Sequence, residues 1–159
     1  MRKAILLLVG GALIFLSTTV GRSQQLRHER DQCNANTQIT PPKYRIAVRR
    51  NIKVSDVVIL HISIEPAKAD RGELIALACS LGRDLVKQKD MQVWIFSSYK
   101  LARSYIEVGE GNSNEAQYSL CGVYLITQHG AYAGQELKIR SDPKSYYMDT
   151  VIDLGQPPS

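Results

Sequence analysis

The stretch VVILHISIEPAKADRGELIALACSLGRDL, residues 57–85, changes its hydrophobic period partway along, and that change decides the fold. Its first nine residues, VVILHISIE, repeat with a period of two. Val58, Leu60, Ile62 and Ile64 share one face of a strand, and Val57, Ile59, His61, Ser63 and Glu65 share the other. The first face is uniformly apolar and is expected to meet a core. The second turns polar toward its end, as a partly solvated sheet face does, so His61 reads as an ordinary strand residue there. Pro66 stops the strand. Beyond it Leu74, Leu77, Ala78, Leu81 and Leu85 recur at spacings of three and four, the stripe of an amphipathic helix. Asp70 and Glu73 form a reciprocal capping arrangement at its start, and Glu73 suits the positive end of the helix dipole. The helix is predicted to run to about residue 89. Gly82 in its interior costs about 1 kcal/mol relative to alanine, which implies close packing against a sheet.

Working outward, YRIAVRR (residues 44–50) alternates as a strand, and NIKVSD (51–56) supplies turn formers. These two pieces and the strand at 57–65 predict a hairpin. MQVWIFS (91–97) is a strand apolar on both faces, expected at the centre of the sheet or with its second face covered. SYKLARSYI (98–106) reads as a short helix capped by Ser97 or Ser98, or as an irregular crossing. EVGEGNSNEAQ (107–117) is a loop by composition, and YSLCGVYLIT (118–127) returns to strand. ELKIR (136–140) and a short run near residues 150–154 complete the order β-β-α-β-β-β. The expected class is α+β: one mostly antiparallel sheet with one principal helix packed on one face.

The chain opens MRKAILLLVGGALIFLSTTVGRSQQ. Two early cations, an apolar run and a small-residue tail have the three-part layout of a signal peptide. We place its end at Ser23, so that residues 1–23 form a signal peptide and residues 24–42 a polar flexible arm. A single domain then spans 43–155, with a tail at 156–159. The apolar run is shorter than the roughly 20 residues that cross a bilayer, and no later run is long enough. Of 20 basic residues, Arg2, Lys3 and Arg22 leave with the leader, so 17 face 15 acidic ones. That balance gives little reason to expect a nucleic-acid partner. Localisation is expected to be periplasmic or secreted.

Export favours oxidation of paired thiols. Cys79 lies beside the helical stripe and Cys121 shares a strand face with Val123 and Leu125, which makes a Cys79–Cys121 disulfide geometrically reasonable. Two free buried thiols, or a bond from Cys33 in the arm, are the alternatives. Closing a loop of about 40 residues contributes roughly 4 kcal/mol through chain entropy.

Catalytic and metal motifs do not emerge. His28, His61 and His129 are far apart, and the cysteines lack the spacing of a zinc or redox site. There is no GxSxG elbow, P-loop or GxGxxG. Of the carboxylate pairs, Glu107 and Glu110 sit in the predicted loop. Asp149 and Asp153 are about 13 Å apart at strand rise, too far for a glycosidase pair. No cofactor or metal is therefore expected. A binding surface has more support, because aromatic and basic residues interleave in two places. One holds Tyr44, Arg45, Arg49 and Arg50, followed by Lys53; the other holds Tyr99, Lys100, Arg103 and Tyr105. The preferred reading of these charges is nevertheless that they occupy solvated faces, as charged residues do in any soluble protein. Tyr118, Tyr124, Tyr132, Tyr146 and Tyr147 cluster late in the chain and suit either exposed contact or half-buried sheet positions.

The architecture resembles small α+β domains of bacterial exported proteins, and no motif places it in a family. Three functional classes remain. The favoured one is a noncatalytic module that binds a protein or polymer in the cell envelope or outside the cell. The second is a structural or assembly protein forming a homodimer through a sheet edge or Cys33. The third is a small hydrolase with an unrecognised site, and the missing motifs count against it.

Overall fold

Val58, Leu60, Ile62 and Ile64 line one face of β2 (Val57–Ile64), and all four are buried as the alternation requires. The structure, a computed structural model, describes residue 33 and residues 38–85, 90–106, 112–128, 133–142, 144–145 and 147–156. Residues 1–23, read from the sequence as a signal peptide, and most of the arm fall outside these residues.

β1 (Tyr44–Ile52) pairs antiparallel with β2 across a tight turn in which Asp56 takes φ 54°. Aspartate is one of the few side chains that visits this left-handed region readily. β2 then pairs in parallel with β3 (Met91–Phe96). A parallel pair needs a long crossover, and α1 (Arg71–Leu85) supplies it. Asp70 caps α1 by accepting the Glu73 backbone N–H at 2.8 Å. β4 (Leu120–Thr127), β5 (Gly134–Ile139) and β6 (Thr150–Gly155) continue antiparallel, so the six strands lie side by side in chain order. The result is an α+β fold with a mostly antiparallel sheet and one main helix.

Leu74, Leu77, Ala78 and Leu81 of α1 pack on the face formed by Ile62, Val93, Ile95, Tyr124 and Leu137. Burying each of the larger side chains contributes about 1.5–3 kcal/mol. Gly82 marks the closest approach of helix to sheet. A Cβ there would lie 2.7 Å from the Tyr124 hydroxyl and would also collide with Gln135 Oε1. Those two atoms are already joined, since the Tyr124 hydroxyl donates to Gln135 Oε1.

The opposite sheet face differs from the sequence expectation. It is covered by two short helices, α2 (Tyr99–Ser104) and α3 (Asn114–Ser119). α2 lies over β1, β2 and β3, and α3 packs on α2 and β4. Phe96, Ala102, Tyr105, Ala116, Leu120 and Val123 form a second core between them and the sheet. The covered face of β3 is one of the two arrangements its apolar pattern allowed. His61, expected on a partly solvated face, is 0 % exposed. It donates from Nδ1 to the Ala102 carbonyl at 2.7 Å and sits among the rings of Trp94, Phe96 and Tyr105. The segment 114–119, read as loop and strand, is helical because Ser113 accepts the Ala116 N–H and Glu115 lies in the first turn.

The disulfide also differs. Cys79 bonds Cys33 of the arm, with Cα atoms 5.6 Å apart, and Cys121 is free. Cys121 is skipped where the pairing of β3 with β4 slips, and it packs on the α1 side of the sheet while Val123 and Leu125 face the second core. It lies opposite the first turn of the helix, alongside Asp70, Arg71 and Leu74. Cys79 is five residues past Leu74, or about 7.5 Å further along the helix axis. The face shared with Val123 and Leu125, expected from regular alternation, is broken by the slip in pairing, and the axial position along α1 differs as well.

Candidate functional site

β1 is an edge strand whose side chains are mostly exposed. Its pairing with β2 slips between Ile46 and Val48, leaving Ala47 in a bulge. The bulge governs which way the arginines face, because paired residues share a sheet face. Arg45 pairs with Ser63 and Arg50 with Ile59, so both point to the α2 side. Tyr44, Ile46 and Arg49 pair with Ile64, Ile62 and Leu60, which places them on the α1 side. Residues five apart on a regular strand would face opposite ways. The bulge instead brings Arg45 and Arg50 to one face.

α2 completes that face. Ser98 caps it by accepting the Leu101 N–H, and Ala102 anchors it in the second core. The Arg45 guanidinium carbon lies 4.3 Å from the centroid of the Tyr99 ring, a cation–π contact. Arg103, one helical turn from Tyr99, and Lys100 are exposed on the outer side of α2. Two aromatic–basic segments about 50 residues apart in sequence therefore meet at one corner of the molecule. Tyr44, Arg45, Arg49, Arg50, Tyr99, Lys100 and Arg103 all lie on or beside it. Tyr105 does not belong to it: it is 8 % exposed and packs against His61, Trp94 and Phe96. Its position six residues past Tyr99, just beyond the end of α2, turns it under the helix.

The corner also carries features the sequence reading passed over. Ile46, Ile52 and Val54 are exposed, Val54 fully. Residues 43–55 hold five basic side chains and no acidic one. The alternating pattern of YRIAVRR gave no hint that its Tyr44, Ile46 and Arg49 face would be left exposed while α2 covers part of the other.

A concave feature lies elsewhere, a cleft of about 260 Å³ between the start of α1, the α3–β4 junction and the end of β5. Its lining comes from residues 69–74, 118–121 and 139–141, three distant segments that no sequence pattern links. Arg140 dominates it, but its terminal nitrogens donate to the carbonyls of Tyr118 and Gln117, while Nε is buried with no partner among the described residues. Ser141 is tied to Asp149 through its backbone N–H at 2.6 Å and through its hydroxyl. Cys121 donates toward the Ser119 carbonyl at 3.4 Å. Burial pushes its thiol pKa up, against the lowering influence of Ser97 and Arg140. A thiol held in its neutral form is a poor nucleophile. The cleft's polar groups are engaged in joining α3, β5 and the loop before β6.

The remaining candidates have structural partners or lie outside the described residues. Asp149 is held by Ser141 and Asp153 by the Gly155 N–H at 2.8 Å. Glu107, Glu110, His28, His129, Tyr132 and Tyr146 lie outside. Tyr124 is buried, whereas Tyr118 and Tyr147 are exposed and do not adjoin each other in any ring contact among the described residues. No group of three His, Cys, Asp or Glu side chains among the described residues could hold a metal ion, and no described helix is long and apolar enough to cross a membrane. No protein-family model matches the chain, and no curated protein or solved structure is significantly similar to it.

Proposed function

We propose that this protein is a noncatalytic binding module that works outside the cytoplasm, secreted or in the periplasm, and that its β1–α2 corner engages an anionic partner. The observation that carries this reading is the stacking of Arg45 on Tyr99, which joins two basic–aromatic segments at one exposed corner. The leader-like first 23 residues and the Cys33–Cys79 disulfide support an oxidising compartment. Charge clustered on one face steers and orients an oppositely charged partner.

Retention of the exported chain on a sulfated polysaccharide matrix tests the corner. We expect retention that falls with salt, and an Arg45→Glu/Arg103→Glu variant that binds about fivefold more weakly. Unchanged retention of that variant would remove the corner from the binding surface. The mass of the chain recovered from outside the cell tests export: a start at Gln24 is expected, and a mass retaining Met1 contradicts it.

A further inference from the structure

The basic corner is also the end of a sheet, and its two faces differ in chemistry. On the α2 side β1 presents Arg45 and Arg50, with Lys100 and Arg103 nearby on the helix. On the α1 side the same strand presents Tyr44 and Ile46, which are 38 % and 49 % exposed, and beyond the bulge Arg49. Among the described residues β1 is hydrogen-bonded on one side only, to β2. An edge in this state offers backbone donors and acceptors to an incoming chain.

Resting on the anionic-partner reading above, we propose that the partner is an acidic polypeptide segment that adds to the sheet as a further strand along β1. The charge pattern selects this occupant. A second copy of β1 in the same place would bring together two strands that each carry three arginines and no carboxylate, an uncompensated arrangement. A segment that alternates acidic and apolar residues fits both faces along the first part of β1, and Arg49 adds a third cation to the strand beyond the bulge. Its carboxylates fall beside Arg45 and Arg50, and its apolar side chains fall beside Tyr44 and Ile46. The bulge at Ala47 sets Arg45 and Arg50 on one face and Arg49 on the other. The other sheet edge, β6, is flanked by Asp149 and carries Asp153, and would repel the same segment.

Fluorescence anisotropy of the mature chain with a labelled, end-blocked ten-residue peptide of alternating Glu and Val tests the proposal. The peptide is expected to bind, and Arg50→Glu to weaken it about fivefold. A peptide of the same sequence with N-methyl groups on alternate amides keeps every carboxylate and loses backbone donors. It should bind more than about tenfold more weakly. Slowed amide exchange on adding the unmethylated peptide should be confined to β1. Equal binding of the methylated peptide overturns strand addition and leaves the anionic-partner reading standing, because charge alone then holds the ligand. Failure of both the peptide and the sulfated polysaccharide to bind overturns both. Protection appearing on β6, or association of the chain with itself through β1 in the absence of peptide, overturns the proposal in favour of a different docking edge or a second copy.

Discussion

Tyr124 is fully buried, with its hydroxyl on Gln135 Oε1 and directly beneath Gly82. Burial raises its pKa above the ordinary tyrosine value, which is about 10 in an unfolded chain. Above that pH the unfolded chain releases this proton while the folded chain keeps it. The folded state then binds more protons, so stability is complete below about pH 10 and falls as pH rises further. Urea melts at pH 7 and pH 11 should show the loss, and Tyr124→Phe should flatten it. At neutral pH the same variant leaves Gln135 Oε1 buried without its donor and should cost about 1–3 kcal/mol. An unchanged alkaline slope in the variant would remove Tyr124 as its source. Gly82→Ala makes a second check on this site. Helix propensity favours alanine by about 1 kcal/mol, yet the new Cβ would displace a rigid, fully packed ring. We expect net destabilisation of about 1–3 kcal/mol by denaturant midpoint, and a stabilised variant would show that the ring can shift. A glycine inside a strong helical stripe announced close packing in the sequence. Its partners did not, because Tyr124 and Gln135 lie more than 40 residues away and their pairing depends on sheet register.

Among the elements, those whose pattern repeats several times were legible and those formed by a single turn were not. β2 and α1 carry enough alternating or helical repeats, with Pro66 and the Asp70 cap between them, to be read directly. α3 is six residues long. A helix that short has no period to detect, and its cap, Ser113, sits in a run rich in Asn, Ser and Gly that resembles a loop. Missing α3 meant missing the second layer, and with it the burial of His61 and Tyr105. The disulfide shows the same limit from another side. Regular alternation gives a strand face only where pairing is unbroken, and the slip at Cys121 turns it away from Val123 and Leu125. Position along a helix axis depends in addition on how the crossover is set. Cys33–Cys79 closes a separation of 46 residues, for which loop-closure entropy alone contributes about 4 kcal/mol. Cys33→Ser should therefore lower the denaturant midpoint sharply, while Cys121→Ser, which removes a part-buried thiol outside the bond, should change it little. Alkylation of the unreduced, denatured chain should label one cysteine. Three labels would mean that the thiols remain reduced, and labelling at Cys33 in place of Cys121 would restore the pairing of Cys79 with Cys121.

At the scale of the whole molecule, burial is unequal across the sheet, and that inequality connects stability to the binding reading. β2, β3 and β4 are covered by α1 on one side and by α2 and α3 on the other, and Ile62, Val93 and Ile95 are completely buried. Among the described residues β1 and β6 each have one neighbouring strand, and their side chains are more exposed than those of the central strands. Local opening is governed by how much buried contact must be given up, so the strands should open from the edges inward. Native-state hydrogen exchange is expected to be slowest for the amides of β3 and its two neighbours, approaching the global unfolding free energy. The outward amides of β1 should exchange fastest among the strands, since no partner strand covers them. The corner that gathers Arg45, Arg50 and Tyr99 thus stands where the backbone is readiest to accept another chain, braced from below by α2 in the second core. If the outward amides of β1 proved as slow as those of β3, that edge would already be covered in the free protein. The strand-addition proposal would then lose its docking position, although the charge of the corner would remain.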